Sequence, residues 1–313
     1  MEIKAQPDIR IFNLYCFLNF SGYNEENNKE GMHPVRVSVR KALEKLKENS
    51  DLKVLISYYK KFYEEKKIHL YNFNKHALSL TTPPEFEIIQ DSKAINLLPG
   101  LDQILKISYE KLPVEILWKE FLPKHLEEAE KYQKLIPEIY TKTCEYLKIQ
   151  DESLDILQVI PNLLESYHRG KSITVNKTLY IIQGSTASGE PNTRGISHEL
   201  VHHLINPILD DFTEQIDGKK SFFEKVNKTL ELLNSYNSWS GYFSENLTRA
   251  IATRVNTGIN NISEDRVSIG LAHEEDRGFI LQKKIYDALK ESYEGRGLQF
   301  KEFLDSFLEG NSL

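Results

Sequence analysis

Cysteine is nearly absent from this sequence, whose 313 residues include only Cys16 and Cys144. Two cysteines cannot build a disulfide scaffold, and they exclude a zinc or iron–sulfur site made of several cysteines within one chain. A single bridge between them would require an oxidising compartment, to which nothing else in the sequence points. We therefore give such a bridge little weight.

Long apolar runs and an excess of basic residues are also missing. The apolar-rich stretch from Ile11 to Phe20 is interrupted by two asparagines and is shorter than the roughly 18 to 20 residues that span a bilayer. No cleavage site of the A-x-A type follows it, so a secretory signal is not expected. Lys and Arg number 40 against 46 Asp and Glu, which gives a net charge of -6. The chain therefore lacks the excess of basic residues that is typical of nucleic-acid-binding proteins. We expect a soluble, cytoplasmic protein that binds neither nucleic acid nor membranes, and the oligomeric state is left open.

Apolar residues recur at helical spacing through most of the first half of the chain. A helix is predicted over residues 9–20, with Asp8 as its N-cap and Gly22 at its end. Further helices are predicted over residues 35–49 and 52–67, followed by a helical hairpin over 101–148 in which Pro113, Pro123 and Pro137 mark helix starts or stops.

The composition changes after Pro161. Residues 172–175 and 178–183 are rich in β-branched residues and Tyr, which predicts a pair of short strands. A Gly/Ser/Thr loop follows, and then a helix is predicted from about residue 191 to 206, where Pro207 ends it. Later helices are predicted over residues 222–233, 245–255, 278–292 and 300–308. The fold class predicted is α+β, helix-dominated, with a small sheet just before the helix at 191–206.

That helix contains an H-E-x-x-H motif at residues 198–202. Residues four apart lie on one face of a helix, so His198 and His202 can direct two imidazoles at one ion. Glu199 leaves the helix about 100° around from His198, and its carboxylate can reach a water beside the ion. Two histidines with a neighbouring glutamate are typical of zinc hydrolases, in which the glutamate is the general base.

A catalytic zinc ion takes three protein ligands and leaves a fourth position for water. The metzincin pattern would place Gly and His where this chain has Ile205 and Ile208, so that class is excluded. A carboxylate from a later helix remains, and Glu245, 43 residues after His202, is the best candidate. The competing carboxylates are Asp210, Asp211, Glu214, Glu224, Glu231 and Glu264.

Two segments together resemble a known class of enzyme. The sequences SHELVHHLINP at 197–207 and ENLTRAI at 245–251 are similar to the gluzincin branch of zinc metallopeptidases. More narrowly, they resemble a bacterial group of H-E-x-x-H proteins described mainly as a domain of unknown function. The resemblance extends over roughly residues 180–255. It implies a zincin-like fold and a zinc-dependent peptidase, with His198, His202 and Glu245 as Zn²⁺ ligands and Glu199 as base.

From the composition change, we expect a mainly helical region at 1–165 and a zincin-like catalytic region at 166–313, which together form one compact unit. One position departs from the gluzincin pattern. Many gluzincins have an Asp four residues after the ligand Glu, where it orients a ligand His, and this chain has Arg249 there. We expect Arg249 to neutralise Glu245 or another buried carboxylate.

Peptide hydrolysis also requires a hydrogen-bond donor for the oxyanion that develops on the scissile carbonyl. Tyr236, Tyr242 and His273 are the candidates, and Tyr242 is preferred because it lies three residues before Glu245. A peptide or protein is the expected substrate. The alternative is a non-catalytic helical module that binds a protein partner and has a structural or vestigial metal site.

Overall fold

The computed structural model describes residues 1–24, 31–89, 93–219 and 238–310. The chain forms two compact units, one of Met1–Pro137 and Glu152–Gly195 and the other of Glu138–Asp151 and Ile196–Leu313. The architecture is α+β and helix-dominated, with one small mixed sheet, so the predicted fold class is confirmed. The assignment of residues 1–165 to a mainly helical region and of 166–313 to a zincin-like catalytic region stays a prediction.

The sheet lies in the first unit and has four strands, β1 (Glu2–Ala5), β2 (Ile156–Asn162), β3 (Gly170–Val175) and β4 (Thr178–Gly184). Their order is β1-β2-β4-β3. The first two pairs are parallel and β3–β4 is antiparallel, so the predicted pair of strands is a hairpin. Strands β1 and β2 were not predicted from the sequence.

The helices of the first unit are α1 (Ile9–Ser21), α2 (Pro34–Glu44), α3 (Lys53–Tyr59), α4 (Leu70–Leu78), α5 (Lys93–Leu97) and α6 (Leu101–Lys111). A 3₁₀ turn at Ser50–Leu52 precedes α3, and a π-helical turn at Lys60–Glu65 follows it. Helix α1 begins and ends as predicted: the Asp8 side chain accepts a hydrogen bond from the Arg10 N–H, and Gly22 has a left-handed φ of 112°. Almost every α1 side chain is buried, which makes α1 the centre of this unit's hydrophobic core.

Helix α7 (Val114–Leu147) is one helix of 34 residues with Pro123 and Pro137 inside it. The prediction that Pro123 and Pro137 mark helix starts or stops was therefore wrong, whereas Pro113 does precede the helix start. An interior proline removes one backbone hydrogen bond and clashes with the preceding turn, at a cost of about 3 kcal/mol. Burial of apolar side chains along α7, Tyr132 and Ile136 among them, offsets that cost.

The second unit contains α8 (Thr193–Asp211) from Ile196 onward and five later helices. These are α9 (Thr213–Asp217), α10 (Trp239–Asn260), α11 (Glu264–Asp276), α12 (Gln282–Ala288) and α13 (Phe300–Glu309). A π-helical turn at Leu289–Glu294 follows α12. Helix α8 continues past Pro207, where the sequence predicted its end, and α11 was not predicted. The helix predicted at 222–233 lies outside the described residues.

A second hydrophobic core holds these helices together. It includes Val201 and Leu204 of α8, Leu247 and Ile251 of α10, and Ile285 of α12.

Both cysteines are free thiols. Within the described ranges, no helix combines the length and the apolarity needed to cross a membrane.

Candidate metal centre

The two histidines of the H-E-x-x-H motif face each other on α8. Their Nε2 atoms are 3.1 Å apart, and the imidazole planes are nearly perpendicular. The apolar side of the helix is buried through Ile196, Leu200 and Val201. The side chains of His198 and His202 are 19% and 21% exposed, so the pair is open to a ligand from solvent.

Glu245 of α10 completes the group. Its Oε2 is 3.2 Å from Nε2 of His202, and its Oε1 is 3.6 Å from Nε2 of His198. Glu245 is the seventh residue of α10 rather than the first, because the helix begins earlier than predicted, at Trp239. Among the described residues, these three side chains form the one group of potential metal ligands whose donor atoms all lie within 4.8 Å of one another.

The spacing of these donor atoms fits a small tetrahedral cation. Zinc–nitrogen and zinc–oxygen bonds of about 2.0–2.1 Å give a ligand-to-ligand edge of about 3.3 Å in a tetrahedron. The separations of His202 Nε2 from His198 Nε2 and from Glu245 Oε2 are 3.1 and 3.2 Å. Two imidazoles and one carboxylate are also the donor set of many catalytic zinc sites. The residues present therefore fit the ion that the sequence predicts.

The charges in the group are strongly coupled. Burial lowers the pKa of His202, but the hydrogen bond with Glu245 and the charges of Glu245 and Glu199 outweigh it, so that the pKa is raised. Burial raises the pKa of Glu245, yet its hydrogen bond with His202 and the charges of His198 and Arg249 hold that pKa far below its usual value. Without a metal ion, Glu245 is therefore an anion that favours a cation beside it.

Thr248 makes a contact with the site that the sequence analysis missed. Its hydroxyl oxygen lies 3.2 Å from Nδ1 of His202, and its side chain is fully buried. If Nδ1 holds the proton and donates it to Thr248, the lone pair is on Nε2, the atom that faces His198 and Glu245. In that tautomer, Thr248 would hold the His202 ring with Nε2 toward the group. Its position one turn after Glu245 is the only sequence signal for it.

Arg249 contacts the carboxylate of Glu245, as the sequence analysis expected. Its Nε donates to Glu245 Oε1 over 2.7 Å, and its NH1 group donates to Glu274 Oε2 over 3.1 Å. The guanidinium lies over the ring of Phe279 at 3.8 Å. Glu274 of α11 is buried, and no sequence pattern connected it to the site.

The side chains of Glu199 and His203, also on α8, are not among the three converging side chains. Glu199 is buried on the helix, and its charge acts on His202. Nε2 of His203 lies 3.1 Å from Oδ2 of Asp151, whose side chain is buried. His203 is therefore bound to another part of the second unit.

Of the three candidate oxyanion donors, the two that the structure describes, Tyr242 and His273, do not join the group. The Tyr242 hydroxyl donates to the Gly278 carbonyl over 2.6 Å and accepts from the Ile280 N–H. His273 is exposed on α11. Tyr236 lies outside the described residues. The catalytic role of Tyr242 stays a prediction, and its observed contacts fix α10 to the segment after α11.

The competing carboxylates lie elsewhere wherever the structure describes them. Asp211 pairs with Lys301 over 2.7 Å, and Glu264 pairs with Lys290 over 3.0 Å. Asp210 and Glu214 are exposed. The remaining two, Glu224 and Glu231, lie outside the described residues.

Comparison with known proteins places one family on this part of the chain. Residues 188–309 match the model of a family described as "Domain of unknown function (DUF4932)". No curated protein and no solved structure gives a significant match. The matched segment contains the whole His198–His202–Glu245 group together with Thr248 and Arg249, so this chain is similar to that family over its candidate metal centre.

Proposed function

We propose that this protein is a zinc-dependent metallopeptidase of gluzincin type that hydrolyses peptide bonds in peptides or proteins. The observation that supports this is the convergence of His198, His202 and Glu245 from two helices, with donor atoms within 4.8 Å of one another. His198 and His202 would hold the ion through Nε2, and Glu245 through a carboxylate oxygen. A bound zinc ion lowers the pKa of water and polarises a carbonyl, which is the chemistry that hydrolysis at neutral pH requires.

Glu199 is the general base of the proposed reaction. Its carboxylate accepts a proton from the attacking water as the new bond from oxygen to the scissile carbon forms. It then passes that proton to the amide nitrogen as the carbon–nitrogen bond breaks, so the leaving group departs as a neutral amine. Glu199 suits this role because it is next to His198 in the chain but leaves the helix in a different direction.

The proposal is tested by metal content and hydrolysis measured on the same preparations. We expect one equivalent of zinc per chain, with anomalous scattering at His198, His202 and Glu245, and cleavage of unstructured polypeptides detected by mass spectrometry. A chelator is expected to abolish cleavage and added zinc to restore it.

His198→Ala and His203→Ala form a matched pair, because both histidines lie on α8 and His203 instead pairs with Asp151. We expect the first variant to lose zinc and hydrolysis and the second to keep both. Zinc binding without cleavage of any polypeptide would favour the non-catalytic module. Full zinc occupancy in His198→Ala would place the metal elsewhere.

A further inference from the structure

The two carboxylate oxygens of Glu245 have different surroundings. Oε1 accepts the Nε–H of Arg249 over 2.7 Å. Oε2 faces Nε2 of His202 at 3.2 Å. A charge-assisted hydrogen bond engages lone-pair density on its acceptor, so the oxygen bound to arginine is the weaker donor to a cation. Oε1 also lies 3.6 Å from Nε2 of His198, so each oxygen has a histidine nearby and the hydrogen bond from Arg249, one turn along the same helix, is what sets Oε1 apart.

Arg249 is itself held by two further side chains, those of Glu274 and Phe279. Its NH1 group donates to the buried carboxylate of Glu274 over 3.1 Å, and Arg277 contacts the same carboxylate. Its guanidinium lies 3.8 Å from the centre of the Phe279 ring. The planar fork of a guanidinium can bind two carboxylates along two edges at once, whereas a lysine ammonium is a point charge on a flexible stem. The position of the Nε–H is therefore fixed by parts of the chain that do not touch the histidines.

We infer that Arg249 is a positioning residue that selects Oε2 of Glu245 as the metal-binding oxygen and keeps the carboxylate from chelating the ion through both oxygens. This inference rests on the proposed zinc site. A carboxylate bound through one oxygen leaves the coordination number low and a position available for water and substrate. Glu274 supports this arrangement because it balances the charge of Arg249, which would otherwise oppose a cation nearby.

Cobalt(II) is the probe, because its visible spectrum reports coordination number without any assay of activity. Four-coordinate cobalt(II) absorbs strongly in the visible, and the absorption weakens when a fifth ligand atom binds. Arg249→Lys keeps the positive charge and loses the fork. Arg254→Lys is the matched control: Arg254 lies on the same helix, stacks over Tyr286 at 4.9 Å and pairs with Glu294, a group separate from the histidines.

We expect strong absorption from the wild type and from Arg254→Lys. We expect a weaker, five-coordinate spectrum from Arg249→Lys, because both oxygens of Glu245 can then bind the ion. An Arg249→Lys spectrum equal to that of the wild type would overturn the inference, because charge alone would then suffice. Glu274→Gln is the second variant and decides the question if Arg249→Lys does not fold: a change in the same direction supports the inference, and wild-type behaviour overturns it.

The two levels of the proposal fail in different ways. If the wild-type protein binds neither cobalt nor zinc, both the proposed metallopeptidase and this inference are contradicted. If the wild type binds the metal and the variants give the same spectrum, only the positioning role of Arg249 is contradicted.

Discussion

The hydroxyl of Thr248 lies 3.2 Å from Nδ1 of His202, on the side of the imidazole opposite the nitrogen that faces Glu245. One short side chain thereby contacts a ring 46 residues earlier in the chain. Thr248 and Glu245 are on one helix, so α10 supplies both a candidate ligand and a contact to a second candidate ligand. The packing of α10 in the second core therefore sets the geometry of the site.

Thr248→Val keeps the shape of the side chain and removes the hydrogen bond to His202. We expect zinc affinity to fall about 10- to 100-fold, the usual effect of losing a partner of a ligand histidine. Thr257→Val is the control, because Thr257 lies on the same helix and donates to the Thr253 carbonyl. Chelator competition measures both affinities. Equal affinities in the two variants would show that the contact with Thr248 does not orient His202.

Glu199→Gln tests the assignment of this residue as base rather than ligand. The amide cannot accept the proton of water, so we expect hydrolysis to fall by at least about 10²- to 10⁴-fold. Zinc content and thermal unfolding are expected to stay close to those of the wild type, because Glu199 is not among the three converging ligands. Glu214→Gln, at an exposed position, is the control for the substitution itself. Loss of zinc from Glu199→Gln would contradict the assignment.

Part of this structure follows from local sequence signals. Asp8 and Gly22 define both ends of α1, because a side-chain acceptor at one end and a left-handed residue at the other are determined within a few positions. Strand β2 was missed because nearly every residue in it is buried, so it lacks the alternation that identifies a strand with one solvated face. Pro207 lies within α8, which shows that tertiary packing overrides a local helix-ending signal.

In the candidate site, too, some residues were predicted from the sequence and others were not. The four-residue spacing of His198 and His202 fixes their common face, and the downstream Glu245 was found by the need for a third ligand. Glu274 was not found, because it reaches Arg249 from a helix that the sequence did not predict. Contacts of that kind depend on how helices pack, and no periodicity within one segment records them.

The metal-free protein has a pH dependence whose sign follows from His202. Its pKa in the folded chain lies above the unfolded value of 6.5, so its contribution to stability is complete below pH 6.5 and is lost as the pH rises through the folded pKa. The pKa of Glu245 is lowered, so its contribution is present above about pH 4.5 and is lost only in stronger acid. The pair is therefore most stabilising between about pH 4.5 and 6.5.

Thermal unfolding of the metal-free wild type and of His202→Asn measures this effect, because other titrating groups largely cancel in the difference. We expect the wild-type advantage in Tm to be largest between about pH 4.5 and 6.5 and to shrink above that window. Zinc requires neutral imidazole, so the stabilisation by added zinc is expected to increase over the same rise in pH. A Tm difference that is constant across this range would contradict the coupling of His202 to Glu245.

Glu245→Gln separates metal binding from folding at the third ligand. A neutral amide is a poor zinc ligand, and the site would lose the negative charge that eases burial of a dication. We therefore expect zinc affinity to fall by more than the ~100-fold that changes to outer partners cause. The amide oxygen can still accept from Arg249, so the metal-free protein is expected to lose only about 1–2 kcal/mol of unfolding free energy. Metal titration and chemical denaturation of the metal-free chain give the two values, and unchanged zinc affinity would assign the third ligand to a different residue.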